Sequence, residues 1–395
     1  MKKLSKCLCI LTSIVLLLTL VTSGYAETAV ESPNNNSCEE FLSSVYGKSQ
    51  SETIDMIGEN LSVDTFGGLY LDEAGNLVVN VTDLRETSLA RNALMNGDIE
   101  NVSFTKVKYS LSFLENAVDE LVPHMKEYSI LMLDANDETN LLDIYLADYS
   151  QSNLEQLEIL INTLSIPNDC VNYVDKSGCY AECTVKKIDS NIPDDAASQV
   201  EPQDIISDRG LVPGRAITIG EYGYSLGPWK TSAFLSAGHK CQIWSAVRYG
   251  GITVGTCINA SFGGNRDISA IHINSPAYGQ TSAMSYYFDN PLVGDKISML
   301  GATTGGSRGR VTNLNARVYY SDLNQTLTLA CGNYSCAKGD SGGPIFNDVQ
   351  VAQPSDFNLG LFTVCYGVQS GGAFDENGNW AGSSYFTLAS NLTFN

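Results

Sequence analysis

The sequence predicts an all-β C-terminal half preceded by a small α+β unit, and three observations carry that division. From Val212 onward glycines are frequent, apolar runs are short, and Ser, Thr and Asn interrupt them at turn-like intervals. That texture belongs to a β-sandwich or barrel. Before it, a strand–turn–strand pattern followed by a helical one occurs twice. Charge divides at the same place: residues 27–211 hold 34 acidic and 10 basic side chains, residues 212–395 ten of each. The net charge of −21 therefore belongs to the N-terminal half. Neither half has the basic face that phosphate binding needs, which excludes nucleic acid as a partner. The acidity reads as solubility.

In chain order, Lys2, Lys3 and Lys6 precede an apolar run from Ile10 to Val21 and the small-residue stretch Ser23-Gly24-Tyr25-Ala26. This is the pattern of a secretory leader cut after Ala26, too short for a good membrane span. An exported, extracellular protein with no membrane association is expected. Residues 39–63 carry helical apolar spacing. Residues 68–71 and 76–81 flank Asp72-Glu73-Ala74-Gly75, a hairpin pattern. Leu111–Met125 reads as an amphipathic helix. Residues 130–133 and 141–146 repeat the hairpin around Asp134-Ala135-Asn136-Asp137, and a helix at about 153–164 completes the second unit. Residues 190–210, with Pro193, Pro202 and Gly210, look like a linker. Nine cysteines follow residue 26; an oxidising compartment favours pairing, and the odd number leaves at least one free in a monomer. Cys179 and Cys183 have no histidine or further close pair beside them, so a disulfide is expected there rather than a metal.

The chemistry concentrates in Gly339-Asp340-Ser341-Gly342-Gly343-Pro344. A serine hydroxyl becomes a useful nucleophile only when a base takes its proton and the developing oxyanion is stabilised. Glycines around it allow a tight backbone whose N–H groups converge, here those of Gly339 and Ser341. The chain has only three histidines. His124 lies in the acidic half, and His272 alternates with Ile271 and Ile273 along a strand. His239 ends the run Phe234-Leu235-Ser236-Ala237-Gly238, which puts an imidazole at the mouth of a strand. Asp267 opens the apolar run 268–273 and supplies the carboxylate that would hold the imidazole.

These stretches resemble the secreted bacterial serine endopeptidases of the streptogrisin and α-lytic type. Ser236-Ala237-Gly238-His239, Asp267-Ile268-Ser269-Ala270-Ile271 and Gly339–Pro344 look like that family's histidine, aspartate and serine motifs. Residues 301–305, 309–316 and 385–388 are similar to its connecting segments, and residues 70–83 to its pro region. The resemblance implies a chymotrypsin fold, two six-stranded antiparallel barrels with the triad His239, Asp267 and Ser341 in the cleft between them. It implies a pro region (27–189) that aids folding and inhibits, a linker (190–211), and a protease domain (212–395). Maturation would fall between Leu211 and Val212, because Val212-Pro213-Gly214-Arg215 resembles the family's mature start; a cut near Arg209 by another protease is the alternative. No metal or organic cofactor is implied. The partners would be protein or peptide substrates and the chain's own pro region, in a monomer.

Two departures matter. Lys240 separates His239 from Cys241, which would still bridge to Cys257. Cys336 would pair with Cys365 or, locally, with Cys331. The pocket wall has two candidate registers, Val364-Cys365-Tyr366-Gly367 and Ser370-Gly371-Gly372; spacing to Phe386 favours the second. Asn333, Tyr334 and Ser335 carry no carboxylate, and Phe386 stands where family members specific for glutamate carry a histidine, so an apolar or medium-sized residue is expected before the cleaved bond. The runner-up is a non-catalytic secreted binding protein or adhesin on the same fold, against which an intact triad argues.

Overall fold

The acidic half folds as two copies of one unit. A computed structural model describes residues 52–96, 101–183, 186–188, 211–274, 285–347 and 362–394. The expected leader, residues 190–210 and Cys38 lie outside these residues. In the first copy, strands β1 (Phe66–Leu71) and β2 (Leu77–Val81) form a hairpin, followed by helix α2 (Ser88–Asn96) and strand β3 (Val102–Lys106). β3 returns parallel to β2. In the second, β4 (Ile130–Asn136) and β5 (Leu141–Leu146) are followed by helix α4 (Gln151–Thr163) and β6 (Val171–Asp175), parallel to β5. Helix α1 (Glu52–Asn60) precedes the first copy, and α3 (Leu111–Leu121) joins the two.

The sequence shows both hairpins but neither returning strand. β3 and β6 are short and mostly exposed or half-buried, so they carry little apolar pattern. The helices were more legible. In α3 the Ser110 side chain accepts from the Phe113 N–H, and Leu111, Leu114, Val118 and Leu121 are buried at helical spacing. The helix gives way to a 3-10 turn at Val122-Pro123, where proline cannot continue the ladder.

The remaining strands build two curled sheets. The first contains β9 (Ala216–Ile219), β10 (Tyr222–Ser225), β11 (Trp229–Lys230), β12 (Ala233–Ser236), β13 (Ala246–Tyr249), β14 (Ile252–Gly263) and β15 (Arg266–Ile273). Its order is β11-β12-β15-β14-β13-β9-β10. Just beyond β10, the Gly227 N–H donates to the Leu235 carbonyl of β12 at 2.8 Å, so the sheet curls back on itself. The second contains β17 (Lys296–Gly301), β18 (Gly305–Tyr320), β19 (Gln325–Gly332), β20 (Pro344–Asn347), β21 (Phe362–Phe374) and β22 (Trp380–Leu388). Its order β17-β20-β21-β22-β19-β18 closes through a β17–β18 pairing, a ring of six antiparallel strands. β16 (Ser285–Phe288) adds parallel to β21.

The acidic half is wired into this second barrel. β4 pairs antiparallel with β18, so β4, β5 and β6 continue the barrel's sheet outward. One apolar core runs through both, from Leu114 and Val118 of α3 to Ile297, Met299 and Val311 of the barrel. Two further strands, β7 (Tyr180–Cys183) and β8 (Lys186–Lys187), end the acidic half. β7 pairs antiparallel with β21. β8 pairs antiparallel with β10 of the first barrel.

Candidate active site

His239 leaves the end of β12 through a backbone that only small residues permit. A Cβ at Gly238 would meet the carbonyl oxygens of Ser261 and Ile268 at 2.3 and 2.4 Å. That closeness brings Asp267, at the start of the neighbouring β15, directly beneath the imidazole. Asp267 Oδ1 accepts the backbone N–H groups of Gly238 and His239, each at 2.8 Å, and Oδ2 lies 2.6 Å from His239 Nδ1. Ser370 Oγ donates to the same Oδ2 at 2.5 Å. Burial alone would raise the Asp267 carboxyl, but the His239 charge and these hydrogen bonds outweigh it and hold the group below the usual carboxylate range.

Ser341 Oγ lies 3.0 Å from His239 Nε2 and 3.1 Å from the Ser370 carbonyl. With Nδ1–H directed at the carboxylate, Nε2 is left as an acceptor facing the serine hydroxyl. His239, Asp267 and Ser341 are all fully buried. The arrangement can take a proton from Ser341, store it as an imidazolium beside a carboxylate, and return it to a leaving group.

The loop that carries Ser341 is fixed from both barrels. Ser225 of β10 donates through its N–H to the Ser341 carbonyl at 2.7 Å and through Oγ to the Gly339 carbonyl at 2.9 Å. Asp340 is fully buried; its Oδ1 accepts the N–H groups of Thr303 and Thr304 at 2.8 and 3.0 Å, and its Oδ2 that of Ala337 at 2.8 Å. Thr303 Oγ1 donates to the Lys338 carbonyl at 2.7 Å. Because the peptide is planar and trans, tying back that carbonyl turns the Gly339 N–H the opposite way. Gly339 itself sits at φ +107°, and a Cβ there would meet Thr303 Oγ1 at 2.4 Å.

Ser370, Gly371 and Gly372 lie on β21 and are buried. The residues of the other register, Cys365 and Gly367, pair with Phe346 and Ile345 of β20 instead. Opposite the wall runs β7, in the register Gly371↔Cys183, Gly372↔Glu182, Ala373↔Ala181 and Phe374↔Tyr180. The glycines allow it: a Cβ on Gly371 would meet the Glu182 carbonyl at 2.6 Å and Tyr320 Oη at 2.5 Å. The Cys183 thiol, a His239 ring nitrogen and an Asp267 oxygen all lie within 4.8 Å of one another.

Beside the wall, Tyr334 is fully buried and donates through its hydroxyl to Gln369 Oε1 at 2.5 Å, while Ser384 Oγ donates to the Tyr334 carbonyl at 2.6 Å. The Ser335 carbonyl accepts from Ser307 Oγ at 2.6 Å. Sequence reasoning missed Ser225, Thr303, Thr304, Gln369 and the Ser384 hydroxyl, and named Tyr334 only for carrying no carboxylate. Thr303 and Thr304 stood in a segment singled out by resemblance, but nothing in their spacing pointed to Asp340.

The expected disulfides are not formed: the described cysteines, Cys241, Cys257, Cys336 and Cys365 among them, are free thiols. Cys241 and Cys257 do face each other, and their contact pushes the Cys241 thiol up and the Cys257 thiol down. Cys336 contacts Ser384 Oγ at 3.1 Å, whereas Cys365 contacts the Gly367 carbonyl at 3.5 Å and Cys331 faces Met132. The three make separate contacts, so neither partner expected for Cys336 is taken. Lys240 is accommodated by a left-handed backbone, φ +59°, and its ammonium reaches Asp322 at 2.8 Å. Leu211 is 1% exposed and belongs to an apolar cluster drawn from both barrels.

Residues 236–389 match the family described as Trypsin. Streptogrisin-A of Streptomyces griseus is 32% identical over 148 residues, 34% of this chain and 47% of that protein. Serine protease 2 of Streptomyces fradiae is 33% identical over 123 residues, 28% of this chain and 70% of that one. The chain thus spans about half of the first relative and over two thirds of the second. Among solved structures, the chymotrypsin of Cellulomonas bogoriensis matches with 25% identity over 45% of this chain and 91% of that one, at a TM-score of 0.34.

Proposed function

Because the chain belongs to the trypsin family of serine proteases, we propose that it is a secreted serine endopeptidase made as a zymogen, with His239, Asp267 and Ser341 as its catalytic residues. The observation that carries this is the buried line from Asp267 Oδ2 to His239 Nδ1, 2.6 Å, and from Nε2 to Ser341 Oγ, 3.0 Å. Ser341 attacks the substrate carbonyl while Nε2 takes its proton. Asp267 keeps Nδ1 protonated and stabilises the imidazolium. The N–H groups of Gly339 and Ser341 receive the oxyanion, and the proton passes to the leaving amine. Water then repeats the sequence on the acyl-enzyme. The substrates are proteins or peptides, and these steps use only this chain's own groups.

The acidic unit keeps the enzyme latent by occupying its cleft. β7 lies on the wall strand as an added antiparallel strand, with the Cys183 thiol beside His239 and Asp267, and β8 pairs with β10 of the first barrel. This is substrate geometry, and the nucleophile beneath it is fully buried. The serine loop is meanwhile already tied down through Asp340. Latency therefore comes from obstruction, not from an unformed site. Maturation after Leu211 requires that residue to leave the apolar cluster shared by the two barrels. Ser335 and the wall residues Ser370, Gly371 and Gly372 bring no charge to the cleft, in keeping with an uncharged residue before the cleaved bond. No helix among the described residues is long and apolar enough to cross a membrane.

The test is labelling of the matured chain by a serine-reactive fluorophosphonate, with Ser341→Ala as control. Labelling confined to the chain with Ser341 is expected. An unlabelled, folded and matured chain would favour a binding protein on a protease frame.

A further inference from the structure

We propose that Lys338 makes this enzyme select an acidic side chain at the third residue before the cleaved bond, the inference resting on the endopeptidase reading above. The bound β7 strand reports the subsites. Ser370 is the wall residue next to the nucleophile, its carbonyl 3.1 Å from Ser341 Oγ. In the antiparallel register Cys183 stands opposite Gly371 and Glu182 opposite Gly372. A substrate on the same ladder sets the residue at its cleaved bond opposite Ser370, with the carbonyl to be attacked beside Ser341. Counting back from that residue, Cys183 is second, in agreement with its thiol lying beside His239 and Asp267. Glu182 is third.

At that third position the partner is Lys338. Its ammonium lies 3.0 Å from Glu182 Oε1 and 2.9 Å from Oε2, so it bridges both carboxylate oxygens. The Glu182 side chain is 18% exposed and that of Lys338 48%; the pair is half sheltered. Lys338 is positioned for this by its own backbone, since its carbonyl is tied to Thr303 Oγ1 and its neighbour Gly339 opens the serine loop. The other lysine of this region, Lys240, is paired with Asp322 at 2.8 Å. A substrate strand displaces β7 and takes the same ladder. Its third side chain then meets an ammonium that has just lost its carboxylate partner.

The full-length chain, expressed with its leader and allowed to mature, is titrated with the fluorophosphonate and assayed on three tetrapeptide anilides. These end in leucine, preceded by alanine and then by glutamate, glutamine or lysine. The enzyme with Lys338 is expected to prefer glutamate over lysine by about 5- to 20-fold in kcat/KM, the range for a partly exposed ion pair plus the matching repulsion. The preference shrinks in high salt. Lys338→Gln removes most of the discrimination and Lys338→Glu inverts it. Equal turnover of the three peptides by titrated enzyme overturns the inference while leaving the protease intact; absence of both titration and turnover overturns the protease reading itself. A second readout needs no maturation. Glu182→Lys in the full-length chain is expected to speed fluorophosphonate labelling of the unprocessed form, and adding Lys338→Glu to it is expected to slow labelling again. Labelling rates that ignore both charges count against the proposal.

Discussion

At β18 the acidic unit is held by side chains, whereas at β21 it is held by backbone. The β4–β18 contact has only two residue pairs in register, Leu133 with Arg317 and Met132 with Val318. Around them Asp134 accepts from Asn313, Glu115 from Asn315 at 3.0 Å, and Arg317 bridges Glu115 at 3.2 Å and Asp119 at 2.7 Å. The β7–β21 contact has four pairs laid against a wall that opens with two glycines. The first is a lock for one partner. The second is a backbone ladder that extended chains in general can form, joined by the charged Lys338–Glu182 pair. If the acidic unit inhibits as proposed, it gains selectivity at a distance from the triad and obstructs with a segment that resembles substrate.

The largest effect that separates the two edges is expected from Ser341→Ala. It should lower peptide turnover by at least about 10⁴-fold while leaving both edges paired, as hydrogen exchange of the β18 and β21 amides would show. Next comes Arg317→Ala, which strips a buried carboxylate of its cation. In the Ser341→Ala background it should cost the acidic unit about 3 kcal/mol, read from urea unfolding, and in the matured enzyme it should leave KM unchanged. Gly371→Ala reverses that pattern. Its Cβ has no room beside Tyr320 and Glu182, so about 1–3 kcal/mol of overpacking should appear as a higher KM and as faster labelling of the unprocessed chain.

The smallest effect is a pH slope confined to the first edge. Burial first, then the nearby Asp143, Asp137 and Glu115, push the Asp134 carboxyl well above its usual range. A raised carboxyl favours the folded state where it is protonated. Its contribution is complete below its ordinary value of 3.8 and is lost as pH rises through the raised one. Glu115 is shifted the same way, by burial against the opposing pull of Arg317. Docking at β18 should therefore weaken as the solution becomes more alkaline, and Asp134→Asn should flatten the trend in urea midpoints measured across pH.

The two edges also differ in how far the sequence revealed them. His239, Asp267 and Ser341 could be named because each stands in a local pattern: small residues ending a strand, an acid opening one, glycines around a serine. The hairpins 66–81 and 130–146 were visible because their turns are written in adjacent residues. That Tyr180–Cys183 lies on residues 371–374 was not visible. A ladder is made of N–H and C=O groups that every residue carries, and nothing in side-chain order marks a pairing almost two hundred positions away. β3 and β6 were missed for the same reason, since parallel return strands with exposed faces lack alternation. The expected bridges show the reverse failure. The family resemblance offered partners, and Cys241 and Cys257 do meet, but Cys336 and Cys365 point at different neighbours.

The tie between Asp340 and the turn at Thr303-Thr304 has a consequence for how freely the enzyme's beginning can vary. Where a catalytic loop is completed by a newly released α-ammonium, one particular first residue becomes indispensable. Here the carboxylate is already satisfied by backbone and hydroxyl groups within the barrel. A ragged or tagged start near Val212 should therefore leave the site assembled. A fusion partner joined there would make a practical handle on the mature enzyme, and the order of trimming cuts would matter less than the departure of a single strand.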